Sequence, residues 1–230
     1  WPPGMILPAS LFEEHLQYLT QEGYQIVTVA ELAERLKFGY SVEKFVAMSF
    51  DDGYRNNHSE ALPLLKKYNA KASFYIVDRD IGKTIYMNQS QLLDLLASDM
   101  EIGSHTINHA PLALIDPKYL PWEIGSAKKF LEKKLDGYVL QGKAYPNGGY
   151  NKNVINAMQE YGFVYGLTGK VGANTHQNFA KAPYEMYRIS IVDDGSGLEG
   201  FKRRLERAYI WGYLQTKGID LNILREILMK

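Results

Sequence analysis

Apolar positions along the chain switch repeatedly between helical and extended spacing. Leu11, Phe12, Leu16 and Leu19 recur at helical intervals up to Gly23, behind Ser10 as a cap with Glu13 three residues on. The same spacing predicts a helix over 29–37, capped by Thr28 and stopped at Gly39. Residues 45–50 form an apolar run that predicts a buried strand, and it ends in Asp51-Asp52-Gly53. A helix over 57–68, with Leu62, Leu65 and Tyr68 on one face, precedes a strand over 72–77. Next come a helix over 89–97, a strand over 100–104 running into His105, and a long Lys- and Glu-rich helix over 118–135. A strand over 138–145 ends in the turn Pro146-Asn147-Gly148-Gly149. A helix over 151–161, strands over 163–167 and 186–192, and helices over 198–213 and 221–229 complete the pattern.

Regular strand–helix alternation implies a mostly parallel sheet with crossover helices. The expected fold is α/β, a distorted (β/α) barrel of about seven strands, as one domain over 1–230. A hydrophobic share of 46% is ample for a core and excludes a disordered chain. Lys and Arg total 26 against 26 Asp and Glu, so the chain lacks the basic excess of a nucleic-acid binder. The absence of Cys excludes disulfide scaffolds, thiolate metal sites and Cys nucleophiles. No apolar run approaches the ~18 residues of a membrane span. The chain opens on Trp1, not Met, as expected of a processed or trimmed piece, so any signal or anchor would lie in the missing part.

Catalytic groups in such folds gather at the C-terminal ends of strands. Three polar clusters fall there: Asp51-Asp52, the run from His105 to His109, and Tyr145-Pro146-Asn147-Gly148. Two His four residues apart on a helical turn lie about 5–6 Å apart at Cβ, close enough to share one ion. By itself that pair also suits a turn whose imidazoles cap backbone groups, and Asp-Asp-Gly by itself suits a turn. Together they supply two imidazoles and one carboxylate for a divalent ion, with a second carboxylate left over as a base.

Ser49-Phe50-Asp51-Asp52-Gly53 and His105-Thr106-Ile107-Asn108-His109 resemble the T/S-F-D-D-G and H-[S/T]-x-x-H motifs of polysaccharide deacetylases, the family-four carbohydrate esterases with a NodB homology domain. Leu16-Gln17-Tyr18-Leu19, Gly23-Tyr24 and the run from Ala61 to Leu65 are similar to the branch acting on extracellular poly-N-acetylglucosamine. The resemblance implies that Asp51 is the catalytic base and that Asp52, His105 and His109 bind the metal, zinc first, with cobalt or nickel as alternatives. It implies that the Asn147 backbone N–H serves the oxyanion. Ala144 stands where the family has an Arg beside the base, and Arg188, in a later strand, is expected to pair with Asp51 instead. The late His of the family has no clear counterpart, and His176 is the one candidate acid. The implied activity is hydrolysis of N-acetyl groups on an amino-sugar polymer, poly-β-1,6-N-acetylglucosamine first. The alternatives are peptidoglycan, chitin oligomers, or a weakly active carbohydrate-binding relic. The implied protein is monomeric and secreted or at the cell surface, with room for membrane or cell-wall attachment through a preceding segment.

Overall fold

The computed structural model describes residues 7–217 of the chain. Helix α1 (Ala9–Gln21) starts behind Pro8, not behind a Ser10 cap, and buries Phe12, His15, Leu16 and Leu19. Strand β1 (Gln25–Val27) leads into α2 (Val29–Phe38), which has the full Thr28–Glu31 capping box and ends on left-handed Gly39. The single strand expected over 45–50 is two, β2 (Phe45–Ala47) and β3 (Ser49–Phe50). β2 pairs with β1 and β3 pairs with β4 (Ser73–Ile76). Met48 joins the two pairings, donating to the Val27 carbonyl and accepting from the Ser73 N–H.

Beyond β4 come helix α4 (Gln89–Ala97), β5 (Glu101–Ser104), β6 (Gly142–Ala144) and β7 (Tyr165–Leu167), with α3 (Leu62–Lys67) lying before β4. The order β3-β4-β5-β6-β7 is parallel throughout, a curled half-barrel carrying its helices outside. Helices α5 (Ala127–Lys134), α6 (Lys152–Glu160), α7 (His176–Lys181) and α8 (Gly197–Thr216) follow in chain order. The long helix expected over 118–135 is broken: a 3₁₀ turn at Pro117–Tyr119 and a π-helical turn at Pro121–Ser126 precede α5. A second π-turn, Asn57–Ala61, precedes α3. The strand expected over 186–192 is irregular and touches β7 by one bridge, Leu167 to Met186. The helix expected over 221–229 lies outside the described residues.

Strand side chains alternate as a two-residue period requires. Phe74, Ile76 and Ile102 face the helices, where they join Leu16, Leu65, Leu92 and Leu131 in the main core. Tyr75 and Tyr165 face inward with Ala144, Leu167 and the buried side of α2. Each inward Tyr lies over a glycine of the neighbouring strand, Tyr75 over Gly103 and Tyr165 over Gly142; a Cβ at either glycine would fall within 2.3 Å of the ring. The two phenols hydrogen-bond to each other at 2.9 Å, and Tyr165 donates to the buried Glu101. Glu101 also accepts from Ser73 Oγ and the Ala30 N–H near the start of α2, which ties that helix to the sheet.

α1 meets α8 through His15, whose ring stacks on Phe201 at 4.1 Å and whose Nε2 has no hydrogen-bond partner among the described residues. Burial, with Arg204 adding repulsion, pulls this imidazole down from 6.5 to about 4. Above pH 6.5 the ring is neutral whether the chain is folded or not. As the pH falls from there to about 4, the unfolded chain takes up a proton that the native state refuses, so stability declines across that window. His15→Phe should flatten this part of the acid limb. Thermal midpoints of both proteins at pH 7 and pH 4.5 decide it, and equal drops would count against the assignment.

Candidate metal and catalytic site

The parallel strands all end on one edge, and the chain turns sharply there. After β3 it passes through Asp51 into Asp52 and Gly53, at φ 70° and 81°. After β5 it passes through His105 into a loop, not the helical turn expected from the His spacing. Thr106 (φ 70°) and His109 (φ 55°) are both left-handed, and these two reversals bring the imidazoles together, ring centroids 5.0 Å apart. Such a conformation is uncommon for a β-branched residue. Hydrogen bonds from neighbouring elements hold it: the Asp78 N–H donates to the Thr106 carbonyl and the Arg79 N–H to that of Ile107.

Asp52 Oδ1 lies 3.5 Å from His105 Nε2 and 3.4 Å from His109 Nε2. The three donor atoms lie within 4.8 Å of one another. His105 is almost fully buried, and its Nδ1 donates to the Ala144 carbonyl at 2.8 Å, which leaves the Nε2 lone pair facing Asp52. Burial lowers the pKa of this imidazole and favours the neutral form a ligand must have. Two imidazole nitrogens and one carboxylate oxygen are a donor set for a divalent ion of the zinc, cobalt or nickel type.

Asp51, the neighbouring carboxylate, faces a different partner. Arg188 Nη1 spans both of its oxygens, at 2.9 and 2.8 Å, while Arg188 Nε donates to the Thr168 carbonyl. The guanidinium plane thus fixes its own orientation on Thr168 and offers one nitrogen to Asp51. Asn147 stands exposed at φ 56° on the turn that leaves β6, three residues after the Ala144 carbonyl that holds His105. The structure does not bring His176 to this cluster. Its Nδ1 donates to the Leu36 carbonyl at 2.7 Å and its ring lies over Gly39, so it closes the end of α2.

Two neighbours escaped the sequence reasoning. Tyr54 stacks on Tyr86 at 5.0 Å; burial first, and then the Asp52 charge, push its phenol above the ordinary range. Glu123 lies beneath the His105–His109 loop and accepts from its backbone. The Asp-Gly-Tyr run offered a weak signal for the first; nothing in the pattern around Pro121-Trp122-Glu123 marked the second. Asp51, Asp52 and Tyr54 open onto a cavity of about 1180 Å³ that continues along β2 and β3 toward Phe201 and Leu205.

The polysaccharide deacetylase family model matches residues 39–166, more than half of the chain, and the chain belongs to that family. It is 30% identical to YxkH of Bacillus subtilis over 192 residues, 83% of this chain and 67% of that one. It is 28% identical to the poly-beta-1,6-N-acetyl-D-glucosamine N-deacetylase of Staphylococcus epidermidis over 171 residues, 68% of this chain and 59% of that one. Among solved structures, the Streptococcus pyogenes deacetylase PplD, determined with acetate, superposes with a TM-score of 0.79 at 26% identity, covering 87% of this chain and 88% of that one.

Zinc, cobalt or nickel added to metal-free protein should raise the thermal midpoint. Asp52→Ala, His105→Ala and His109→Ala should each abolish that rise, because one of three ligands is gone. Asp51→Asn should keep it. Elemental analysis after dialysis gives the same ordering, and an empty Asp51→Asn beside a loaded Asp52→Ala would reverse the two roles.

Proposed function

We propose that this domain hydrolyses N-acetyl groups on an extracellular amino-sugar polymer, with poly-β-1,6-N-acetylglucosamine as substrate. The observation that carries the reading is the division of labour between adjacent carboxylates: Asp52 facing two imidazoles and Asp51 facing one guanidinium. A divalent ion held by Asp52, His105 and His109 would supply Lewis-acid polarisation of the amide and lower the pKa of water. Asp51 is the base that takes the proton from the attacking water. Arg188 grips both oxygens of that carboxylate and aims it, and the backbone N–H of Asn147 is the donor for charge that develops on the amide oxygen. The similar Streptococcus pyogenes deacetylase, solved with acetate, supports the deacetylation class of the reaction.

Acetate release from poly-β-1,6-N-acetylglucosamine, chitin oligomers and peptidoglycan, with and without zinc, cobalt or nickel, tests the proposal directly. Turnover on the first polymer that disappears with chelator is the expected result. Preference for peptidoglycan or chitin oligomers would move the substrate, and binding without turnover on all three would mark a carbohydrate-binding relic.

Arg188→Ala should lower kcat/KM by about 10²-fold, the scale of a lost electrostatic contact in an active site, while leaving metal content unchanged. Arg188→Lys should recover only part of the loss, because an ammonium cannot hold Thr168 and Asp51 at once. Wild-type kinetics in Arg188→Ala would remove Arg188 from the machinery.

A further inference from the structure

Beneath the His105–His109 loop lies a buried polar layer that the reaction does not use. Glu123, 5% exposed, points up from the π-turn Pro121–Ser126. Its Oε2 accepts the backbone N–H groups of Ile107 and Asn108 at 3.1 and 3.0 Å, and its Oε1 accepts Asn108 Nδ2 at 2.6 Å. Lys143, fully buried on the helix-facing side of β6, donates to Ser104 Oγ at 2.7 Å and to the Glu123 carbonyl at 3.4 Å. It therefore links the strand that ends in His105 to the turn that carries Glu123. Asp78 completes the layer: its N–H holds the Thr106 carbonyl, while its buried carboxylate oxygens have no hydrogen-bond partner among the described residues and attract Lys143.

The Asp78 N–H and the Glu123 carboxylate bear directly on the backbone between the two imidazoles. Asp78 and Arg79 take the carbonyls of Thr106 and Ile107, and Glu123 takes the following two N–H groups. Of these anchors, Glu123 is the one that acts through a side chain, so it can be removed without rerouting a main chain. It grips Asn108, the residue directly before left-handed His109. A lost carboxylate would orphan the buried Ile107 N–H, leave that of the exposed Asn108 to water, and release the reversal that turns His109 toward Asp52. The π-turn has a physical reason in the same contact. One extra residue per turn shifts the direction of the side chains that follow, and π-turns concentrate at such places.

We propose that Glu123 is the positioning residue of the metal centre, setting the place of His109 through the Ile107–Asn108 backbone. The inference rests on the metal-centre reading above, and wild-type titration tests that reading separately. Metal-free wild type, Glu123→Gln, Glu123→Ala and Asn108→Ala are titrated with cobalt and zinc against a chromophoric chelator, and the cobalt absorption spectrum is recorded. Gln keeps the size and one acceptor oxygen, so a dissociation constant raised about 10-fold is expected; Ala should raise it about 100-fold, the span typical of residues that orient ligands. Asn108→Ala removes one bond and leaves the grip on both N–H groups, so its effect should be the smallest. A changed cobalt spectrum in Glu123→Gln, at an unchanged metal-free thermal midpoint, separates positioning from general support of the fold. Should Glu123→Ala fail to fold, Gln and Asn108→Ala carry the comparison. Affinity and spectrum equal to wild type in Glu123→Gln would overturn the inference while the metal reading stands. A wild-type protein that binds neither ion would overturn both.

Discussion

The site depends on backbone that most side chains avoid. Asp52, Thr106, His109 and Asn147 all sit at positive φ, each on the turn after a strand. For residues other than glycine that conformation costs of order 1 kcal/mol or more. It persists where neighbouring groups leave no alternative, and here they are on every side. The His105 main chain is bonded to Ile76, Thr106 to Asp78 and Ile107 to Arg79. The strain and its restraints sit on the same few residues, so the fold itself holds Asp52, His105 and His109 together.

The sheet supplies the frame for those restraints. Tyrosines laid over glycines fill the inside of the curl with rings that lie flat against the next strand, and this packing sets how closely β4, β5, β6 and β7 approach. Their ends then converge, which is why groups from turns after three different strands can meet. The Ala144 carbonyl shows how close the convergence is: a main-chain atom of β6 fixes the tautomer of an imidazole that follows β5. Because the contact uses the main chain, the side chain at position 144 is free to be alanine, although the family has arginine there.

Much of this was legible in the pattern of residues. The Thr28 cap, the Gly39 stop and the apolar periods placed α2, α4 and the strands β4 and β5, because those signals act locally. The paired motifs pointed to Asp51, Asp52, His105 and His109, and an arginine in a late apolar segment pointed to Arg188. The failures share a cause, for each depended on partners distant in sequence. The break at Met48 comes from two strands competing for one backbone; the π-turn around Glu123 comes from a demand made by a loop. His176 looked like a loop residue near a polar site, yet a helix end claimed it. The segment after Met186 has strand-like composition but makes a single bridge to its neighbour.

The Asp51–Arg188 pair has a consequence in time. The two residues are 137 positions apart, and the segment carrying Arg188 touches its neighbouring strand at one bridge. Contacts of such long sequence separation form late, after the loop-closure cost of the intervening chain has been met by local structure. A chain emerging from the ribosome presents the residues of the Asp52, His105 and His109 turns before it presents an arginine for Asp51. The Asp51–Arg188 contact therefore waits on chain that is made well after those turns.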